Sequence, residues 1–154
     1  MRWPWQKREP PRKAAVCMIH PAATQKLAQQ LRQWGEVEPI PIEDDYDVIR
    51  RDCWETGAEL LIIEAGKDEK GYFDTDVSTR CDWVAVIRKK KPDFPVYLLL
   101  DPALEQKCLA AQKAVELNLI NGYAALPLTR KTLKAWLAEA GKAKQAAAKE
   151  VNPA

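Results

Sequence analysis

The sequence predicts an α/β domain in which a parallel β-sheet is covered by helices on both faces. Two patterns carry that reading. Five short apolar runs recur along the chain, at 14–19, 37–42, 60–63, 96–100 and 123–126, and three of them are continuous rather than alternating, as in strands buried on both sides. A segment of helical periodicity follows each run, with short links between. A strand, a helix and a next strand joined this way pack compactly only as parallel neighbours with right-handed crossovers.

Each element has a local reason. Strand 14–19 (AAVCMI) leads into a helix over 21–34, with Pro21 at a first-turn position where its missing N–H costs nothing. Leu27, Leu31 and Trp34 form the helix's inner stripe and Gly35 stops it. Strand 37–42 (VEPIPI) contains Pro39 and Pro41, each removing a ladder donor, so it belongs at a sheet edge. The helix over 45–56 turns Val48, Ile49 and Cys53 inward, with Asp45 where an N-cap belongs and Gly57 at its end. Strand 60–63 (LLII) is followed by a long charged loop over 66–75 and a helix over 78–91, with Ser78 expected as its N-cap. Cys81, Val84 and Ile87 face inward there, and Lys89, Lys90 and Lys91 complement the helix C-terminus. Strand 96–100 (VYLLL) precedes a helix over 102–117 with Leu104, Cys108, Ala111 and Val115 on one stripe. Strand 123–126 precedes a helix that starts at Thr129 and buries Leu133, Trp136, Leu137 and Ala140.

A chain of 154 residues and 17.5 kDa suits one domain, and 47% hydrophobic with 30% charged residues is the balance of a globular chain with a core. No uncharged apolar run approaches the roughly 18 residues of a membrane span, and no apolar segment follows the basic start. A cytoplasmic location is expected. Residues 1–13 carry five basic side chains against Glu9, and residues 142–154 three lysines against Glu150. The expected organisation is therefore a basic, Trp- and Pro-containing flexible tail over 1–13, a domain over 14–141, and an Ala/Lys-rich tail over 142–154. Such tails suit contact with nucleic acid or an anionic membrane surface. Trp3 and Trp5 lie outside the core pattern and suggest docking onto a partner. Cys17, Cys53, Cys81 and Cys108 show no metal-ligand spacing, there is one histidine, and the cysteines fall on inner stripes. Small buried hydrophobes in a reducing compartment are the expectation.

Three fragments, 58–64 (AELLIIE), 95–100 (PVYLLL) and 122–129 (GYAALPLT), match in order and spacing the patterns P-D-L-V-L-L-D, P-V-I-x-L-T and G-Y-x-x-K-P-F-T. Over 14–141 the chain thereby resembles the CheY-like receiver domain of bacterial response regulators. The resemblance implies a flavodoxin-like, doubly wound five-stranded parallel sheet of order 2-1-3-4-5 in a three-layer sandwich. Its crevice would open at the carboxyl ends of strands one and three. It also implies transfer of a phosphoryl group to an aspartate beside Mg²⁺, which needs an acidic pair, a hydroxyl and a lysine. At the implied acceptor position stands Glu64; the acidic pair is replaced by Ile19, His20 and Pro21. The hydroxyl position falls on Leu100, or on Asp101 if the register slips by one, and the lysine before Pro127 is Leu126. A degenerate pseudo-receiver is expected, not an enzyme and without metal or cofactor. Tyr123 and Pro127 keep the family's strand-five aromatic and the proline that follows a cis peptide.

The resemblance implies a regulatory or scaffolding module that works without phosphorylation through protein–protein contact, with a homodimer through helix four, strand five and helix five. Tyr72 and Phe73, at the tip of the charged loop, are further candidate anchors for a partner. Two other readings stand beside it. One is an adaptor for nucleic acid or membrane that uses its basic tails. The other is a cation-binding or residual enzymatic domain at Glu64 and Asp101, helped by Glu43, Asp44, Asp45, Asp74 and Asp76, although solvated loops and helix caps are the simpler account of those acids. His20 is expected next to Glu64 across neighbouring strands, close enough for a hydrogen-bonded pair. No glycine-rich phosphate loop follows strand one, so nucleotide binding of the common kinds is not expected.

Overall fold

The strand Val96–Leu100 is buried at every residue, which a sheet permits only at its centre with cover on both faces. A computed structural model describes residues 11–66 and 75–151, with side chains as far as 141. Strands and helices alternate along it: β1 (Arg12–Cys17), α1 (Pro21–Trp34), β2 (Val37–Pro41), α2 (Tyr46–Glu55), β3 (Leu60–Glu64), α3 (Val77–Lys90), β4 (Val96–Leu100), α4 (Glu105–Glu116), β5 (Gly122–Ala125) and α5 (Arg130–Val151). All strand pairings are parallel, in the order β2-β1-β3-β4-β5. The proline-bearing strand lies at the edge, as its missing donors require.

The period-two alternation of the strands divides the core in two. Ala15, Cys17, Leu61, Ile63, Val96, Leu98 and Leu100 meet α2, α3 and α4 through Ile49, Cys53, Cys81, Val84, Ile87, Ala111 and Ala114. Ala14, Val16, Leu60, Ile62, Tyr97 and Leu99 meet α1 and α5 through Ala28, Leu31, Leu133 and Trp136. On that side Tyr97 stacks on Trp136 with ring centroids 4.5 Å apart and donates its hydroxyl to the Trp136 carbonyl at 3.1 Å.

Several expected boundaries move by a residue or more, those of β1, α3 and α4 for local reasons. β1 begins at Arg12, inside the stretch read as a tail, because Arg12 and Lys13 pair with Val37 and Glu38. Arg12 also donates to the Leu137 carbonyl at 3.0 Å, its guanidinium lying where a Cβ on Gly141 would be 2.9 Å away. The same strand ends at Cys17, since Thr24 Oγ1 takes the Met18 N–H at 2.9 Å. Asp76, not Ser78, is the N-cap of α3, because Val77 already begins the buried stripe. Residues 102–104 form a turn, with Asp101 Oδ1 accepting from the Ala103 N–H, and α4 starts only at Glu105. Asp45 caps α2 as expected, accepting from the Val48 N–H at 3.1 Å.

A side chain at position 122 would crowd the stacked pair: a Cβ there would lie 3.1 Å from Tyr97 and 3.3 Å from Trp136. Gly122→Ala is expected to lower unfolding free energy by about 1–3 kcal/mol through overpacking, measured by urea denaturation against wild type.

Candidate functional site

Parallel strands end on the same edge, so the carboxyl ends of β1, β2 and β3 collect the groups that follow them. Glu64 is the last residue of β3. Its Oε1 accepts from the Ile19 backbone N–H at 2.8 Å, rather than from His20. The expected His20–Glu64 pair is thus replaced by a bond to the main chain. His20 instead occupies the N-cap position of α1, exposed, with no side-chain cap bond. The Ile19 side chain turns towards the exit of β3: a Cβ on Gly66 would lie 3.6 Å from Ile19 Cδ1 and 3.8 Å from Leu104 Cδ1.

A charge is buried at the same strand end. Arg80, in the first turn of α3, is 1% exposed. Its Nη1 and Nη2 donate to Asp44 Oδ1 and Oδ2 at 2.7 and 3.1 Å, and its Nε donates to the Glu64 carbonyl at 3.0 Å. The guanidinium also lies 4.7 Å from the centroid of the Trp83 ring. A buried guanidinium survives only when its donors are taken and its charge is paired. Asp44 does the pairing, with its side chain 13% exposed. Reading Asp44 as a solvated loop acid therefore needs correction, and Arg80 is a residue that sequence reasoning misses. The signal was present: Val77, Arg80, Cys81, Val84 and Ile87 fall at helical spacing on one stripe.

The remaining candidates separate. Leu100 is fully buried in the core. Asp101 is exposed and serves the turn before α4. Leu126 packs partly against the α1/α5 side, and the Leu126–Pro127 peptide is cis. Tyr123 is half-buried against the α4 side. Asp76 pairs with Lys107 of α4. Trp3, Trp5, Tyr72, Phe73 and Asp74 lie outside the described residues, as do the side chains of 142–154. A groove of about 560 Å³ flanks β1 on its β2 side, lined by Met18, Ile19, Thr24, Ile42 and Asp44 among others. The expected crevice between β1 and β3 is instead bridged by the Ile19–Glu64 bond.

Mg²⁺, which the resemblance implies here, does not fit these residues. Ile19 brings a backbone N–H and a methyl group to the place of an acid, and the Glu64 carbonyl and Asp44 carboxylate already receive a guanidinium. Among the described residues no group of three or more His, Cys, Asp or Glu is placed to hold a metal ion, and no helix is long and apolar enough to cross a membrane.

Comparison with protein-family models and with curated proteins finds no match. Solved structures do match. A response regulator receiver domain protein from Clostridium thermocellum shares 15% identity at a TM-score of 0.63, over 87% of this chain and 97% of that one. The CheY-like protein tadZ from Pseudomonas aeruginosa PAO1 gives 17% and 0.59, over 84% and 98%. A protein described as adenylate cyclase from Rhodopirellula baltica gives 11% and 0.69, over 91% and 95%. The chain has the flavodoxin-like fold of CheY-like receiver domains.

Two predictions follow from the geometry. Asp44→Ala strands a buried guanidinium and is expected to cost about 3–5 kcal/mol; adding Arg80→Met should recover part of that loss in urea denaturation, since the uncompensated charge is then gone. Burial first, and then the nearby Asp44 carboxylate, push the Cys17 thiol up to about 12, against the pull of Arg80; burial pushes Cys53 up to about 12 against Lys91. The fold thus favours the neutral thiols, an advantage fully present below the ordinary thiol range of about 8.5 and lost as pH rises towards 12. Melting temperature should fall over that alkaline window, and fall less in Cys17→Ala/Cys53→Ala.

Proposed function

We propose that the protein is a receiver-like regulatory or scaffolding module that acts without phosphorylation, through contact with another protein. One observation carries the reading: the carboxylate at the acceptor position is a glutamate bonded to the Ile19 N–H, with the side chains of Ile19 and Leu104 gathered over Gly66, two residues on. A phosphoryl donor would meet a carboxylate already engaged, with hydrocarbon at Leu100 and half-buried Leu126 where charge on the transferring group would need neutralising. Incubation with acetyl phosphate and Mg²⁺ is expected to leave the intact mass unchanged, and a stable phosphoryl adduct would refute the proposal.

The contact face that fits is α4–β5–α5. Leu109, Leu117 and Leu119 are 62%, 60% and 42% exposed, the large apolar side chains most open to solvent among the described residues. The segment after α4 that carries Leu119 is tied to α3, because Arg88 donates to the Asn118 and Leu119 carbonyls and to Asn121 Oδ1. Apolar groups left open to water suit association. A second copy of the chain is the partner proposed. Sedimentation equilibrium is expected to show a dimer for wild type and a monomer for Leu109→Glu/Leu117→Glu, with unchanged circular dichroism; a monomeric wild type would exclude self-association as the use of this face.

A further inference from the structure

We infer that Arg80 is a resident cation, occupying the position a hard metal ion would take at the mouth of the sheet and keeping such ions out. The inference rests on the phosphorylation-independent reading above and extends it to how the mouth is held. Three oxygens converge on the guanidinium: both carboxylate oxygens of Asp44, at 2.7 and 3.1 Å, and the carbonyl oxygen of Glu64, at 3.0 Å. Carboxylate and main-chain carbonyl oxygens are the donor types that hold hard divalent cations. Here they come from the β2–α2 connection and the end of β3, two places that would otherwise carry unopposed negative charge and an unpaired acceptor. Arg80 satisfies both at once.

The replacement has a structural logic. A guanidinium delivers its donors in a flat fork that matches a carboxylate, and its face stacks on an aromatic ring. Trp83, one turn further along the same helix, supplies that ring. The cation is covalently part of α3, so it does not exchange with solvent. The β2–α2 connection, β3 and α3 therefore stay joined whether or not a divalent ion is available.

The test uses the full-length, isotopically labelled protein and Mn²⁺ at millimolar concentration, read through paramagnetic broadening of amide signals. In wild type the amides of Ile19, Asp44 and Ala65 are expected to keep their line widths. In Arg80→Ala they are expected to broaden selectively, with Mn²⁺ binding at least about tenfold tighter than in wild type. Adding Asp44→Asn should remove the gain, and Arg80→Lys, which keeps a cation, should show none. Selective broadening at these amides in wild type overturns the inference, as does a folded Arg80→Ala protein that binds Mn²⁺ no better than wild type. If Arg80→Ala does not fold unaided, Mn²⁺ is expected to restore a cooperative melt that wild type does not need; no rescue also overturns it. Wild-type broadening without a phosphoryl adduct sinks the resident cation alone, whereas an adduct sinks the reading on which it rests.

Discussion

The buried centre of the sheet sets everything else. All five residues of Val96–Leu100 and the first four of Leu60–Glu64 are inaccessible to water, so their peptide groups must be satisfied by neighbouring strands and their side chains by helices above and below. Parallel pairing meets the first demand and right-handed crossovers meet the second. Together they bring the carboxyl ends of the strands to one edge. Whatever chemistry this fold carries is decided by the few residues that follow those strands, since the rest of each strand is committed to packing.

At that edge the chain has chosen hydrocarbon and an internal charge. The Ile19 and Leu104 side chains lie over Gly66, and the Ile19 N–H holds Glu64. A carboxylate near an apolar cover needs a donor, and a main-chain N–H fills that need without adding charge. The opposite problem arises for Arg80, whose charge is buried and needs an anion; Asp44 provides one in bidentate geometry. Taken singly, each of these residues would be costly to bury. Asp44 and Arg80 satisfy each other across 36 positions of sequence.

That separation is also why the mouth was hard to read from sequence. Strands and helices announce themselves through spacing over a few residues, and so the alternation, the edge position of the strand bearing Pro39 and Pro41, and the inner stripes of α3 and α5 were all legible. Asp44 looks like one acid among three, Glu43, Asp44 and Asp45, and nothing local marks the middle one as the partner of a buried charge. Arg80 offered a clue through its place on the apolar stripe, but a stripe position does not name a partner. The reach of Lys91 to the Cys53 and Ala58 carbonyls at the far end of α2 is of the same kind. In the sequence it reads only as the third lysine of a helix exit.

The mouth and the face of α4 are physically connected. Asp76, which caps α3 four residues before Arg80, is paired with Lys107 in the first turn of α4. At its other end α3 sends Arg88 to the carbonyls that follow α4. Both ends of α4 are therefore referenced to α3, and α3 is referenced to the strand ends through Arg80. A rearrangement at the mouth that moved Arg80 would act on α4 through these two contacts as well as through the core that α3 and α4 share. Arg80 is bound through three donors and lies over the Trp83 ring, which ties α3 to the strand ends. A helix referenced at both ends in this way holds Leu109 and Leu117 in place, as the proposed constitutive interaction surface would require.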